Sequence, residues 1–179
     1  IALSLVGSEM CIRDRYMLRF LSLGLNMETK FSNPVQINRS IKPNSISASA
    51  MRSAFSSRQL KPSEVLEECI ANIDLYEKHV GAWAFINIEG AREFARELDN
   101  KKPSGTLFGI PFGIKDNIDT FDMPTEYGTD IYLGHQPGRD AACVAEMRAS
   151  KGVALGKTIC TEFAHRHPGK TANPWNIEH

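Results

Sequence analysis

Apolar and polar positions alternate along this chain with changing period, and the changes mark its elements. From Ser47, Met51, Phe55 and Leu60 recur loosely, as on one face of a short helix. Val65, Leu66, Cys69, Ile70, Ile73 and Tyr76 then recur at helical spacing, with Ser63, just after Pro62, as the predicted N-cap and an end near Lys78. Trp83, Phe85, Ile86 and Ile88 read as a short strand, and Ala91, Phe94, Ala95 and Leu98 as a further helix face. The loop DNKKPSG follows, with Pro103, Ser104 and Gly105 as turn residues.

The run TLFGIPFGIKDNIDTFDMP is apolar and punctuated by glycine, which suits a strand buried on both faces. A helix is predicted from an N-cap at Asp140 through Ala141, Val144, Ala145 and Met147 to Lys151, and Gly152 ends it. Val153, Ala154 and Leu155 then form a strand. Strand, helix and strand in that order predict parallel pairing with a right-handed crossover, so the fold class is α/β. Beyond Cys160 no period is visible.

The first 46 residues follow none of these patterns. IALSLVGSEMCIRDR has an apolar head, but its charges come after the head, the reverse of a secretory signal. The head also falls far short of the roughly 20 residues that span a bilayer. LVGSEMCIRD, Leu5 to Asp14, back-translates in frame to CTC GTG GGC TCG GAG ATG TGT ATA AGA GAC, which resembles an adapter of transposase-based sequencing. Residues 1–15 are therefore expected to be translated adapter and not native, 16–46 a leader or arm with Met17 or Met27 as the true start, and 47–179 the N-terminal part of a truncated domain.

The 21 basic and 21 acidic residues balance, so charge does not point to nucleic acid as a partner. A hydrophobic content of 42% is sufficient for a core and argues against disorder. With Cys11 set aside, Cys69, Cys143 and Cys160 are odd in number and irregularly spaced, which suggests reduced thiols in a cytoplasmic protein.

Three motifs could carry chemistry. LGKT, Leu155 to Thr158, is similar to the end of a phosphate-binding loop, but the required earlier glycine position is Lys151, and Val153 to Leu155 read as strand. A lysine and a threonine at the end of a core strand is the better reading. Cys160, His165, His167 and His179 have a spacing that matches no common zinc pattern, so no metal is expected. Lys115 is the third, because it closes the apolar run, and lysine is almost never fully buried without a paired charge or a task. It either pairs with Asp116 or reaches water, or it is a catalytic base whose ammonium is disfavoured by desolvation. Chemistry alone weighs these about equally, with Gly109 and Gly113 leaning slightly to the second by allowing close backbone approach.

GIPFGIKDNIDTFDMPTEYGT, DAACVAEMRASKGVALGKTICTEFA and TANPWN, in this order, resemble the amidase signature family over roughly residues 47–179. The resemblance implies a mixed central sheet flanked by helices, of which this chain holds an incomplete N-terminal portion. It also implies hydrolysis of a small-molecule carboxylic amide by a Ser, cis-Ser, Lys triad without cofactor, membrane or nucleic acid, and it leaves room for a homo-oligomer of the full-length protein. By motif, Lys115 is the triad lysine. The family's two serines belong to a Gly- and Ser-rich stretch after the Asn-Pro segment, here Asn173 and Pro174, and the 179 residues do not contain that stretch. Ser104 and Ser150 are weak substitutes. The chain alone is accordingly expected to be inactive.

Two further readings are carried. In the glutamine-hydrolysing subunit of a tRNA-dependent amidotransferase, the segment between Glu162-Phe163 and Asn173 tends to be longer, so the short HRHPGKTA favours a free-standing amidase. A non-catalytic binding module would have to tolerate a sheet with exposed apolar edges, which folded proteins avoid.

Overall fold

The computed structural model describes residues 47–165 and 167–176; the expected adapter and leader segments, Arg166 and His179 lie outside the described residues. Helices α1 (Ala48–Ser56) and α2 (Pro62–Val80) lead into strand β1 (Trp83–Ile86) and helix α3 (Ile88–Asp99). Strand β2 (Pro111–Lys115), helix α4 (Ala142–Ala149) and strand β3 (Val153–Thr158) follow, with short 3-10 turns at Asp130–Tyr132 and Glu162–Ala164. The sheet order is β1-β3-β2. β2 runs parallel to β3, as the strand, helix, strand order predicts, and β1 runs antiparallel to it. The chain is thus a mixed α/β structure.

Several predicted boundaries move for identifiable reasons. Pro62 takes the first turn of α2, where its missing N–H costs nothing, so the cap is Lys61 and not Ser63. Glu64 accepts the Lys61 N–H at 2.9 Å. Ser63 instead ties two helices together, its N–H and Oγ donating to the Asp99 carboxylate at 3.0 and 2.5 Å. At the other end, α2 continues to Val80 and stops at Gly81, whose φ of 61° is the left-handed cap conformation. Ile88 opens α3 and is not part of β1. Asp140 does not cap α4, which starts after Ala141; its carboxylate accepts the Phe121 N–H at 3.0 Å and faces Arg148 Nε at 3.1 Å.

The apolar run predicted as one long buried strand is a strand of only five residues, Pro111–Lys115, followed by turns. Two cores lie on opposite faces of the sheet. Met51, Phe55, Val65, Leu66, Ile70, Ala95 and Leu98 of α1 to α3 and Trp83 of β1 meet Val153 and Leu155 on one face. Phe112, Ile114, Met123, Val144 and Ala154 form the second core, under α4.

The register between β2 and β3 contains one step. Phe112 pairs with Ala154 and Gly113 with Gly156, so Leu155 has no partner in β2. An extra residue in one strand inverts the alternation of everything after it. Lys157 would otherwise follow Val153 and Leu155 into the first core. It pairs instead with Ile114, whose side chain belongs to the second.

Candidate active site

Both parallel strands end at the same edge of the sheet, the carboxyl end, where open α/β sheets place their ligands. There the register sets Lys115 beside Thr158. Gly113, two residues earlier, lies under the Trp83 ring: a Cβ on it would come to 3.1 Å from Trp83 Cη2 and 3.0 Å from Thr158 Cγ2. Glycine here lets Trp83 lie across the strand that presents Lys115. Lys115 is half-buried, and its ammonium has no hydrogen bond or ion pair among the described residues.

Asp116, the expected partner in the simpler reading of Lys115, points elsewhere. Its carboxylate is 2% exposed and accepts the N–H of Glu126 at 3.2 Å and that of Gly128. Lys157 Nζ lies 3.5 Å from its Oδ1. Lys157 is fully buried and donates to Ile118 O at 2.9 Å, Pro124 O at 3.2 Å and Thr125 Oγ1. An ammonium has three protons, and three acceptors take them. Burial pushes the Asp116 carboxyl up and the Lys157 ammonium down, and in each case the partner's charge opposes the shift. The saturated donor set fits the charged pair.

The loop 116–128 that these groups hold carries two successive left-handed residues, Tyr127 at φ 55° and Gly128 at φ 66°. A Cβ at Gly128 would run into Cys160 O, so the left-handed turn brings loop and β3 extension into contact where only glycine fits. Tyr127 tolerates its φ because it is held on three sides. Its N–H donates to Asp116 O at 2.9 Å, its O accepts from Phe163 N at 2.8 Å, and its hydroxyl donates to Asp119 at 2.7 Å. The bond to Asp119 pushes the phenol up to about 12.

The other residues singled out in the sequence are placed clearly. Ser104 and Ser150 lie at the opposite end of the strands: Leu107 N–H bonds to Ser150 O at 3.1 Å just before β2 begins. Five residues of strand at roughly 3.3 Å each separate that end from Lys115. Cys160 is buried, while His167 is exposed and sits 3.8 Å from Glu162. Among the described residues no group of three or more His, Cys, Asp or Glu could hold a metal ion. Nor is any described helix long and apolar enough to cross a membrane. Lys157 is the residue that sequence reasoning undervalued. Its signal was a lone lysine inside a run of apolar strand residues, the same signal that drew attention to Lys115.

The Amidase family model matches residues 64–179, the stretch that builds this site. The chain belongs to the amidase family. Among curated relatives of this amidase-family chain, the glutamyl-tRNA(Gln) amidotransferase A subunit of Macrococcus caseolyticus is 33% identical over 136 residues, covering 73% of this chain and 28% of its own length. The putative amidase AmiD of Mycobacterium tuberculosis is 36% identical over 127 residues, covering 66% and 27%. The peptide amidase PAM in complex with chymostatin superposes with a TM-score of 0.68 at 27% identity, over 74% of this chain and 30% of that one. The chain thus spans less than a third of the length of the relatives it matches.

Proposed function

We propose that the protein to which this amidase-family chain belongs hydrolyses a small-molecule carboxylic amide, with Lys115 as the terminal base of a Ser, cis-Ser, Lys triad. One observation carries the assignment. Lys115 stands at the carboxyl end of the central parallel pair without a carboxylate partner among the described residues, while the neighbouring Asp116 is fully engaged on the other face. A lysine that accepts a proton must be able to exist as the free amine, and an ion pair would hold it as ammonium. In the mechanism, Lys115 takes the proton that the relay serine removes from the attacking serine, because a hydroxyl is a weak nucleophile without a base in reach. The serines and the amides of an oxyanion hole belong to the Gly- and Ser-rich stretch that family resemblance places after Asn173.

The free-standing amidase is favoured over the amidotransferase subunit by the segment before Asn173. It folds back directly onto the end of α2, with Ala172 N–H donating to Val80 O at 2.8 Å and Thr171 Oγ1 to Gly81 O at 2.9 Å. This close return supports the short connection as a built feature. No cofactor enters the proposal. The three described cysteines form no disulfide, which supports a cytoplasmic setting.

The test is to express the reading frame together with the codons downstream of residue 179 in its genomic context and to measure ammonia release from a panel of small amides. Lys115→Met is expected to lower kcat by about 10²–10⁴ without changing the fold. A variant that keeps turnover within tenfold of the parent refutes the role. Dependence of hydrolysis on added partner subunits would favour the amidotransferase reading.

A further inference from the structure

The two lysines that the register step places on opposite faces of the sheet differ in one respect that bears on chemistry: among the described residues Lys157 has three acceptors and Lys115 none. Between residues 116 and 126 the loop beside them carries four carboxylates, and each has a partner. Asp116 faces Lys157, Asp119 takes the Tyr127 hydroxyl, Asp122 pairs with Arg148 at 2.6 Å, and Glu126 accepts the Gly134 N–H at 2.8 Å. None of them pairs with Lys115.

We propose that Lys157 is a positioning residue for Lys115: by holding Asp116 on the second face of the sheet, it keeps the adjacent carboxylate from forming an ion pair with the Lys115 amine. The proposal rests on the reading of Lys115 as the base, and its geometry is independent of that reading. Asp116 directly follows Lys115 and its N–H continues the ladder by donating to Thr158 O at 2.9 Å, so alternation sends the two side chains to opposite faces. What keeps the carboxylate there is Lys157 and two amides. Lys157 also holds the loop on which those amides lie, through Ile118, Pro124 and Thr125. Without it, an unneutralised buried carboxylate remains one residue from an unpaired amine. An opposite charge at about 4–6 Å favours the charged form of a group by about 1–3 pKa units. At a fixed pH below that of the amine, each unit reduces the free-amine fraction tenfold.

The test needs no hydrolytic activity. The 179-residue chain and its Lys157→Met, Asp116→Asn and doubly substituted forms are treated with an amine-selective succinimidyl ester over a range of pH. Acylation of Lys115 is followed by peptide mass spectrometry, with the exposed Lys61 and Lys102 as internal references. Lys157→Met is expected to slow Lys115 about tenfold or more relative to the references. Adding Asp116→Asn restores the parent rate, because the charge that Lys157 restrained is gone. An unchanged rate in Lys157→Met, or a double variant as slow as the single one, overturns the proposal. Should Lys157→Met lose the amide-exchange protection of β3, Lys157→Gln decides, since its amide can still donate to the loop carbonyls but carries no charge: Lys115 is expected to slow as in Lys157→Met, and an unchanged rate overturns the proposal. Amide hydrolysis that proves independent of Lys115 would remove the assigned function and leave this result standing.

Discussion

Replacing Gly156 by alanine tests how closely β1 and β3 approach beside the candidate site. A Cβ built there lies well inside contact distance of Phe85 O, and 3.0 Å from both Ile86 Cα and Trp83 Cε3. Backbone carbonyls and Cα atoms cannot rotate away as side chains can, so β1 must move off β3. Overpacking of this kind costs about 1–3 kcal/mol, and each backbone hydrogen bond weakened at the Ile86–Gly156 pairing adds about 1 kcal/mol. Gly138→Ala is the control. Nothing lies within 4 Å of its Cβ position and its φ is not left-handed, so alanine there should stabilise by about 0.4–1 kcal/mol through the unfolded chain. The same chemical change at two sites should therefore separate by about 2.5–5 kcal/mol with opposite signs. Urea unfolding followed by tryptophan fluorescence reads this, since Trp83 is buried against the altered position while Trp175 is 53% exposed. At a slope of about 1–3 kcal/mol per molar urea, the midpoints should differ by about 1 M or more. Two midpoints that coincide would refute the claim that the strands are in contact at Gly156.

Three other outcomes are expected. Lys115→Met should change unfolding free energy by no more than about 0.5 kcal/mol, whereas Lys157→Met should cost about 3–5 kcal/mol because Asp116 is left buried without its counter-charge; parallel urea titrations compare them, and equal costs would contradict the contrast between the two lysines. Iodoacetamide near pH 8 should alkylate the exposed Cys143 well before Cys69, whose thiol burial pushes up to about 11; the Cys69 rate should then rise about tenfold per pH unit towards that value, as mass spectrometry of the peptides would show. The 179 residues alone should release no ammonia from simple amides, and measurable turnover by the purified chain would require a nucleophile within it.

Periodicity made the helices and the parallel β2 to β3 unit legible, because each buries one regular face: Val65, Leu66 and Ile70 in α2, and Ala91, Ala95 and Leu98 in α3, are buried as their spacing predicts. Helix starts were less legible, since Ser63 and Asp140 are good capping residues that bond across space instead, to α3 and to Arg148. The length of β2 was overread because the apolar residues after Lys115, such as Ile118 and Met123, enter the second core from turns. The motif singled out Lys115, but the partner of Asp116 could not be read from spacing. Strict alternation assigns Lys157 to the face of Leu155, and only the register step at Leu155 sends it across.

The strand order has a consequence for how the molecule is made. Among the described strands β1 and β2 each pair only with β3, and β3 is the last of the three to be synthesised. Helices α1 to α3 can form as they emerge, but none of the described strands can pair until residues 153–158 have left the ribosome, because the pairings are non-local. Insertion of that single segment between β1 and β2 joins the three described strands and brings Lys157 to Asp116 in the same step. Until then Lys115 is a lysine in an open chain; its chemical setting is an outcome of that non-local pairing.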